Sequence, residues 1–238
     1  MTRPFIICHM VTSLDGKVTG SFLEKSEYSG IIETYYQIHK NYDADGFICG
    51  RITMEGSFPQ PSVQLTEYEG PAIDRNDFIA EKAAFYAVAV DPHGKLLWND
   101  RVIFDSDEGY DGAHIIEVLT ERVSDAFLAH LRSKGVSYVF AGKDTLNLEQ
   151  AVQKLKSLFG VNKLLLEGGG IVNGSFQEAG LIDEISLVVI PAVETSEQAI
   201  PLFQTSKHTS ADSKSAAFQL KAAEKLDNGS IWLTYQKN

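Results

Sequence analysis

The stretch Lys163-Leu-Leu-Leu-Glu-Gly-Gly-Gly170-Ile-Val-Asn-Gly-Ser-Phe-Gln-Glu-Ala-Gly180 constrains the fold more than any other part of the chain. An apolar run bounded by glycines reads as a buried strand, and the helical spacing beyond it reads as a helix. Three glycines in a row carry an entropic cost and let the backbone approach something closely. A helix that starts just after them presents its N–H groups and the positive end of its dipole, which together make an anion site. Ile171, Phe176 and Ala179 give that helix an apolar side, and Gly180 suits the C′ position. The same glycines equally suit a tight turn between strand and helix, and the local pattern leaves both readings open.

The alternation of strand and helix extends through most of the chain. Phe5 to Val11 reads as a first strand, with Thr12-Ser-Leu-Asp-Gly16 turning out of it. Glu27 to Asn41 has helical spacing, with Ile31, Tyr35 and Ile38 on one face, and Tyr42 extending that face. Gly46-Phe-Ile-Cys49 is a short strand leading into Gly50-Arg51-Ile-Thr53-Met-Glu55. Residues 56–80 hold Pro59, Pro61 and Pro71, three of the seven prolines, and read as a long surface excursion. Strands are predicted over Ala84 to Val90, His114 to Leu119, Val136 to Ala141 and Glu184 to Ile190, with Asp91-Pro-His-Gly94 as a turn. Helices are predicted over Val123 to Lys134, where Phe127, Leu128 and Leu131 face inward, and over Leu148 to Phe159. Gly135 and Gly160 end them. Ala217 to Lys225 and Ser230 to Gln236 form a hairpin around Asp227-Asn-Gly229. This order implies an α/β fold: a mostly parallel central sheet flanked by helices, with an antiparallel C-terminal hairpin. In such sheets ligands sit at the carboxyl ends of the strands, so residues 12–17, 50–55 and 167–175 are expected to converge there.

With 238 residues, 44% of them hydrophobic, the expectation is a single domain over 1–238. The formal charge of −11 argues against a general nucleic-acid surface, which needs clustered Lys and Arg. No run is long enough to span a membrane, and the apolar part of the N-terminus is too short for a signal peptide, so a cytoplasmic location is expected. Cys8 and Cys49 lie in apolar stretches and read as reduced core thiols, and no metal site is expected.

Four segments can carry chemistry. At Gly50-Arg51-Ile-Thr53, glycine allows close approach, Arg51 can fork two donors onto a phosphate, and Thr53 can cap a helix or donate to an oxygen. A capped helix with a solvated arginine fits the same residues. In Ser13-Leu-Asp15-Gly16-Lys17, Asp-Gly favours a turn, and Thr12 and Asp15 can line a pocket over the sheet edge. Glu167 ends an apolar run, so its carboxylate is expected to be desolvated and to need a partner. That partner can be a structural ion pair or an amino-bearing heterocycle. His9 lies within the first strand and shares a face with Val11 and Ser13. There is no Gly-x-Ser-x-Gly elbow and no His-Glu-x-x-His.

Together, Thr12-Ser-Leu-Asp-Gly-Lys17, Cys49-Gly-Arg-Ile-Thr-Met-Glu55, Leu166-Glu-Gly-Gly-Gly170 with Asn173-Gly174, and Ala179-Gly-Leu-Ile-Asp-Glu184 resemble the dihydrofolate-reductase superfamily. They are most similar to its riboflavin-biosynthesis branch, the reductase domain of the pyrimidine deaminase–reductase. The match in order and separation runs from near residue 3 to about residue 205. It departs at His9, where the bifunctional enzymes carry a lysine, and in lacking a Trp-bearing segment after the first loop. The zinc-ligand pattern of the deaminase half is absent from these residues, so the reductase step alone is expected.

The resemblance implies an NADPH-dependent reductase that converts the ribosyl group of a small phosphorylated aminopyrimidine to ribityl. The cofactor residues it implies are Thr12, Gly50, Arg51 and Thr53, with Gly168, Gly169, Gly170, Ile171, Val172, Asn173, Gly174 and Ser175 along the pyrophosphate and nicotinamide. Glu167 and Asp15 are the catalytic candidates, Glu167 holding the substrate, and the proton coming either from Asp15, a candidate by its location, or equally from water. His9 and Glu167 are the substrate-side residues. A homodimer is expected from the family. Two further readings fit the same residues: a reductase of another small carbonyl, imine or pteridine-like compound, and a non-catalytic nucleotide-binding module.

Overall fold

Nine strands and five α-helices alternate along the chain among the described residues of the computed structural model, which are 2–60, 62–205 and 215–238. Met1 and Pro61, both part of segments read above, lie outside them. In chain order the elements are β1 (Phe5–Thr12), α1 (Ser29–Asn41), β2 (Gly46–Gly50), α2 (Arg51–Ser57), β3 (Tyr86–Val90), β4 (His114–Leu119), α3 (Asp125–Lys134) and β5 (Ser137–Phe140). They continue with α4 (Leu148–Lys154), β6 (Lys163–Leu166), α5 (Gly170–Glu178), β7 (Glu184–Val189), β8 (Phe218–Lys225) and β9 (Ile231–Lys237). Two compact units share them: one is Met1–Pro4 with Asp45–Asn162, the other Phe5–Ala44 with Lys163–Asn238.

In the first unit, β2 to β5 run parallel in the order β5-β4-β3-β2, with Gly46 opposite Tyr86, Tyr86 opposite His114, and Ile116 opposite Ser137. Every residue of these four strands is buried, as expected where both faces of a parallel sheet are covered. The helices follow their sequence signals. The Ser124 hydroxyl accepts from the Phe127 amide at the start of α3, and Asn147 does the same for Gln150 at the start of α4. The predicted helix over Leu148 to Phe159 changes character at Leu155, where a π turn continues to Phe159 and buries both of those residues. Most of 62–80 is irregular, and Phe78 forms an isolated bridge to Tyr138.

In the second unit the order is β6-β1-β7-β9-β8. β1 pairs parallel with β6, Phe5 to Lys163 through Cys8 to Leu166, and parallel with β7, Ile7 to Glu184 through Thr12 to Val189. β9 pairs antiparallel with β7 and with β8, closing the expected hairpin over Asp227-Asn-Gly229. α1 begins at Ser29, after a short 3₁₀ turn over Ser26–Tyr28, two residues later than its spacing predicts. Its Ile31, Tyr35 and Ile38 pack with Phe22, Val188 and Ile190, and Tyr42 lies partly buried against that cluster.

One expected face is wrong. Ile171 is 49% exposed and Ala179 is also exposed, whereas the buried side of α5 is Gly170, Asn173, Gly174 and Phe176. The glycines themselves are the contact surface. The Gln204 amide donates to the Gly170 carbonyl at 2.9 Å, and a Cβ on Gly170 or Gly174 would overlap the carbonyl oxygens of Pro201 or Gln204. Gly180 takes the predicted C′ role with φ 67°, and the Leu181 amide returns to the Phe176 carbonyl.

Candidate active site

In the second unit, the parallel pairing of β1 with β6 brings residues 12–17 and 167–175 to the carboxyl ends of neighbouring strands. Residues 50–55 follow β2 in the first unit.

Glu167 stands one residue beyond the Cys8–Leu166 pair and is buried. Its Oε1 lies 2.7 Å from Nδ1 of His39, with side-chain exposures of 4% and 3%. An ionised carboxylate only accepts, which places the proton of this contact on Nδ1. The field of Glu167 reaches its neighbours: burial first, and then this charge, push the Cys8 thiol above its ordinary range. The sequence missed His39. The signal was present, because Ile31, Tyr35, Ile38 and His39 form one helical stripe, on which a polar residue needs a buried partner.

His9 is fully buried, with Nδ1 3.0 Å from the Ser186 hydroxyl and Nε2 3.2 Å from the Tyr35 carbonyl oxygen. It stacks on the Tyr35 ring at 4.3 Å. A carbonyl only accepts, so Nε2 carries hydrogen, and Nδ1 accepts from Ser186, which itself accepts from the Trp232 indole N–H. Desolvation lowers the imidazole to about 4, against attraction from Glu167. His9 is therefore neutral, with both ring nitrogens bonded within the fold.

Asp15 is bonded within the loop that follows β1. Its carboxylate accepts from Ser13 Oγ at 2.7 Å and from the Glu194 amide at 2.9 Å. The Ser13 bond foremost, then the Glu194 amide, hold its carboxyl below the usual range. Asp15 is exposed and ionised, so it organises the loop and is poorly suited to donate a proton. Thr12 is buried at the end of β1, and its carbonyl receives the Ile190 amide.

The glycine run enters α5 through Gly168, whose φ of 96° is a conformation that favours glycine, and Gly169 is the N-cap with no side-chain cap. The first N–H groups of a helix have no intrahelical partner, so this uncapped start suits an anion. Ser175 donates back to the Ile171 carbonyl at 2.8 Å. Asn173 donates to the Leu202 carbonyl at 3.0 Å, while its buried Oδ1 has no hydrogen-bond partner among the described residues. That acceptor suits a ribose hydroxyl or a carboxamide N–H better than a phosphate. In the first unit, Gly50 is the N-cap of α2 without a side-chain cap, so Thr53 does not cap that helix. Arg51 donates from one terminal nitrogen to both carboxylate oxygens of Glu55 at 2.6 Å, an i,i+4 pair.

The family described as the RibD C-terminal domain matches residues 4–232. The chain belongs to the RibD C-terminal domain family. A protein of Methanothermobacter thermautotrophicus named 2,5-diamino-6-ribosylamino-4(3H)-pyrimidinone 5′-phosphate reductase is 26% identical over 195 residues, covering 80% of this chain and 79% of its own. An Aquifex aeolicus protein of the same name is 23% identical over 202 residues, covering 83% and 81%. Among solved structures, a pyrimidine reductase-like protein of Corynebacterium diphtheriae has a TM-score of 0.70 at 18% identity, over 99% of this chain and 92% of its own. That likeness shows the fold. Membership of the RibD C-terminal domain family makes the chain an oxidoreductase of the pyrimidine-reductase type. Within the described residues, no helix is long and apolar enough to cross a membrane.

Proposed function

We propose that this RibD C-terminal domain protein is an NADPH-dependent reductase of a ribosylaminopyrimidine phosphate, with residues 1–238 acting as one reductase domain. The observation that carries the reading is Glu167, a buried carboxylate at the carboxyl end of β6 and two residues before Gly169, the uncapped N-cap of α5. When bound, NADPH would supply a hydride to C1 of the sugar in its open-chain imine form, and the imine nitrogen would take the balancing proton from water. The residues of the chain bind and orient. Glu167 accepts N–H bonds from the pyrimidine, the start of α5 and Thr12 hold the cofactor, and Asn173 Oδ1 offers it a buried acceptor. Within the first unit, Gly50, Arg51 and Thr53 are by resemblance a phosphate-binding candidate in their own right, with Arg51 exchanging Glu55 for the phosphate. Such positioning contributes on the order of 7–11 kcal/mol in favourable intramolecular systems. The relatives' names favour the undeaminated diaminopyrimidinone as substrate. A cytoplasmic homodimer completes the reading, on family resemblance.

A second reading, another small carbonyl or imine substrate on the same cofactor site, is favoured by one observation. His9 stands where the bifunctional enzymes carry lysine, and it is neutral and already bonded. Thermal melting with NADPH tests what both readings share. At about 100 times its dissociation constant, a ligand of the native state stabilises by about 2.7 kcal/mol. An unchanged melting curve would refute both.

A further inference from the structure

We propose that His39 is the positioning residue of the substrate site, holding Glu167 in the orientation that receives the pyrimidine. The inference rests on the preceding reading of Glu167. Glu167 is followed directly by three glycines, the first with φ 96°, so the backbone beyond it contributes no side chain that could brace the carboxylate. His39 comes from the last turn of α1, an element whose Ile31, Tyr35 and Ile38 are locked into the core against Val188 and Ile190. That anchoring makes the imidazole a rigid donor at 2.7 Å from Oε1. A fixed donor removes much of the torsional freedom that a substrate would otherwise have to immobilise. A carboxylate offers about four acceptor sites, so the bond to His39 is compatible with simultaneous bonds to the N–H groups of a pyrimidine. Burial of both partners puts the contact in a low-dielectric setting, where a hydrogen bond is stronger than in water. The site is therefore built from two distant segments of the second unit, with α1 supplying the brace and the end of β6 supplying the acceptor.

The test compares His39→Leu, His39→Asn and Glu167→Gln, alone and combined, in NADPH oxidation with the diaminopyrimidinone ribosyl phosphate. His39→Leu removes the donor, whereas the amide of His39→Asn stands close to where Nδ1 was. His39→Leu is expected to raise KM for the pyrimidine by about tenfold or more, the scale of a lost charge-assisted hydrogen bond. NADPH affinity should be unchanged. His39→Asn should stay within about threefold of the parent, and His39→Leu should add less than about threefold in the Glu167→Gln background. Should the Leu variant not fold, His39→Gln takes its place, since its longer amide cannot reproduce the Nδ1 contact. Full loss on top of Glu167→Gln, or a lowered melting temperature with unchanged KM, overturns the proposal and leaves a plain structural ion pair. If the parent reduces the pyrimidine, these outcomes judge His39 alone. A parent that neither binds nor reduces it overturns the functional reading and this inference with it.

Discussion

Burial holds the His9 imidazole near 4, against an ordinary 6.5. The unfolded chain takes up a proton at His9 as pH falls through 6.5, while the folded chain refuses it until about 4. Stability from this residue is therefore complete above 6.5 and is lost between 6.5 and 4, by about 3 kcal/mol in all. Glu117 acts with the opposite sign. It is fully buried on β4, one oxygen receives the Trp98 indole N–H, and the other has no partner among the described residues. Burial first, then the charge of Asp91, push its carboxyl well above 4.5. The unfolded chain releases that proton earlier, so stability falls as pH rises above 4.5 until the folded group also ionises. Between 4.5 and 6.5 the two slopes oppose each other. Urea titrations across pH separate them: His9→Gln should flatten the acid limb and Glu117→Gln the alkaline one. A parental acid slope retained in His9→Gln, or a parental alkaline slope in Glu117→Gln, would contradict the assignment.

At the scale of elements, the end of β6 and the start of α5 carry two demands on one glycine cluster. Gly170 and Gly174 meet residues 200–204 at backbone contact, so Gly174→Ala should cost about 1–3 kcal/mol through overpacking, read by chemical unfolding. Stability equal to the parent would mean that this contact yields cheaply. Gly169, the uncapped N-cap, is the position for the opposite outcome. Gly169→Val should abolish NADPH binding while the protein stays folded, and normal binding would reduce the run to a turn. The contrast also shows why some elements were legible in the sequence and others were not. Continuous apolar runs such as Tyr86–Val90 and His114–Leu119 announce buried parallel strands, and Asp227-Asn-Gly229 announces its hairpin. The inward side of α5 was misread because hydrophobic periodicity counts side chains, and there the bare backbone of two glycines makes the contact. Glu167 was legible as a carboxylate in need of a partner, but His39 lies 128 positions away, and only the tertiary fold pairs them. Asp15 has a comparably distant partner: its Oδ1 accepts from Ser13 and from the amide of Glu194, 179 residues on, and only the fold brings the latter to it.

For the molecule as a whole, the RibD C-terminal domain family spans residues 4–232, and the proposed site pairs Glu167 as acceptor with His39 as its brace. The central claim is hydride transfer from NADPH to a ribosylaminopyrimidine phosphate. The direct measurement is NADPH oxidation with 2,5-diamino-6-ribosylamino-4(3H)-pyrimidinone 5′-phosphate and with its deaminated counterpart, the ribityl product being followed in parallel. The expected result is oxidation matched mole for mole by ribityl product, faster with the diamino compound. Protein that binds NADPH and consumes it with neither compound would contradict the account.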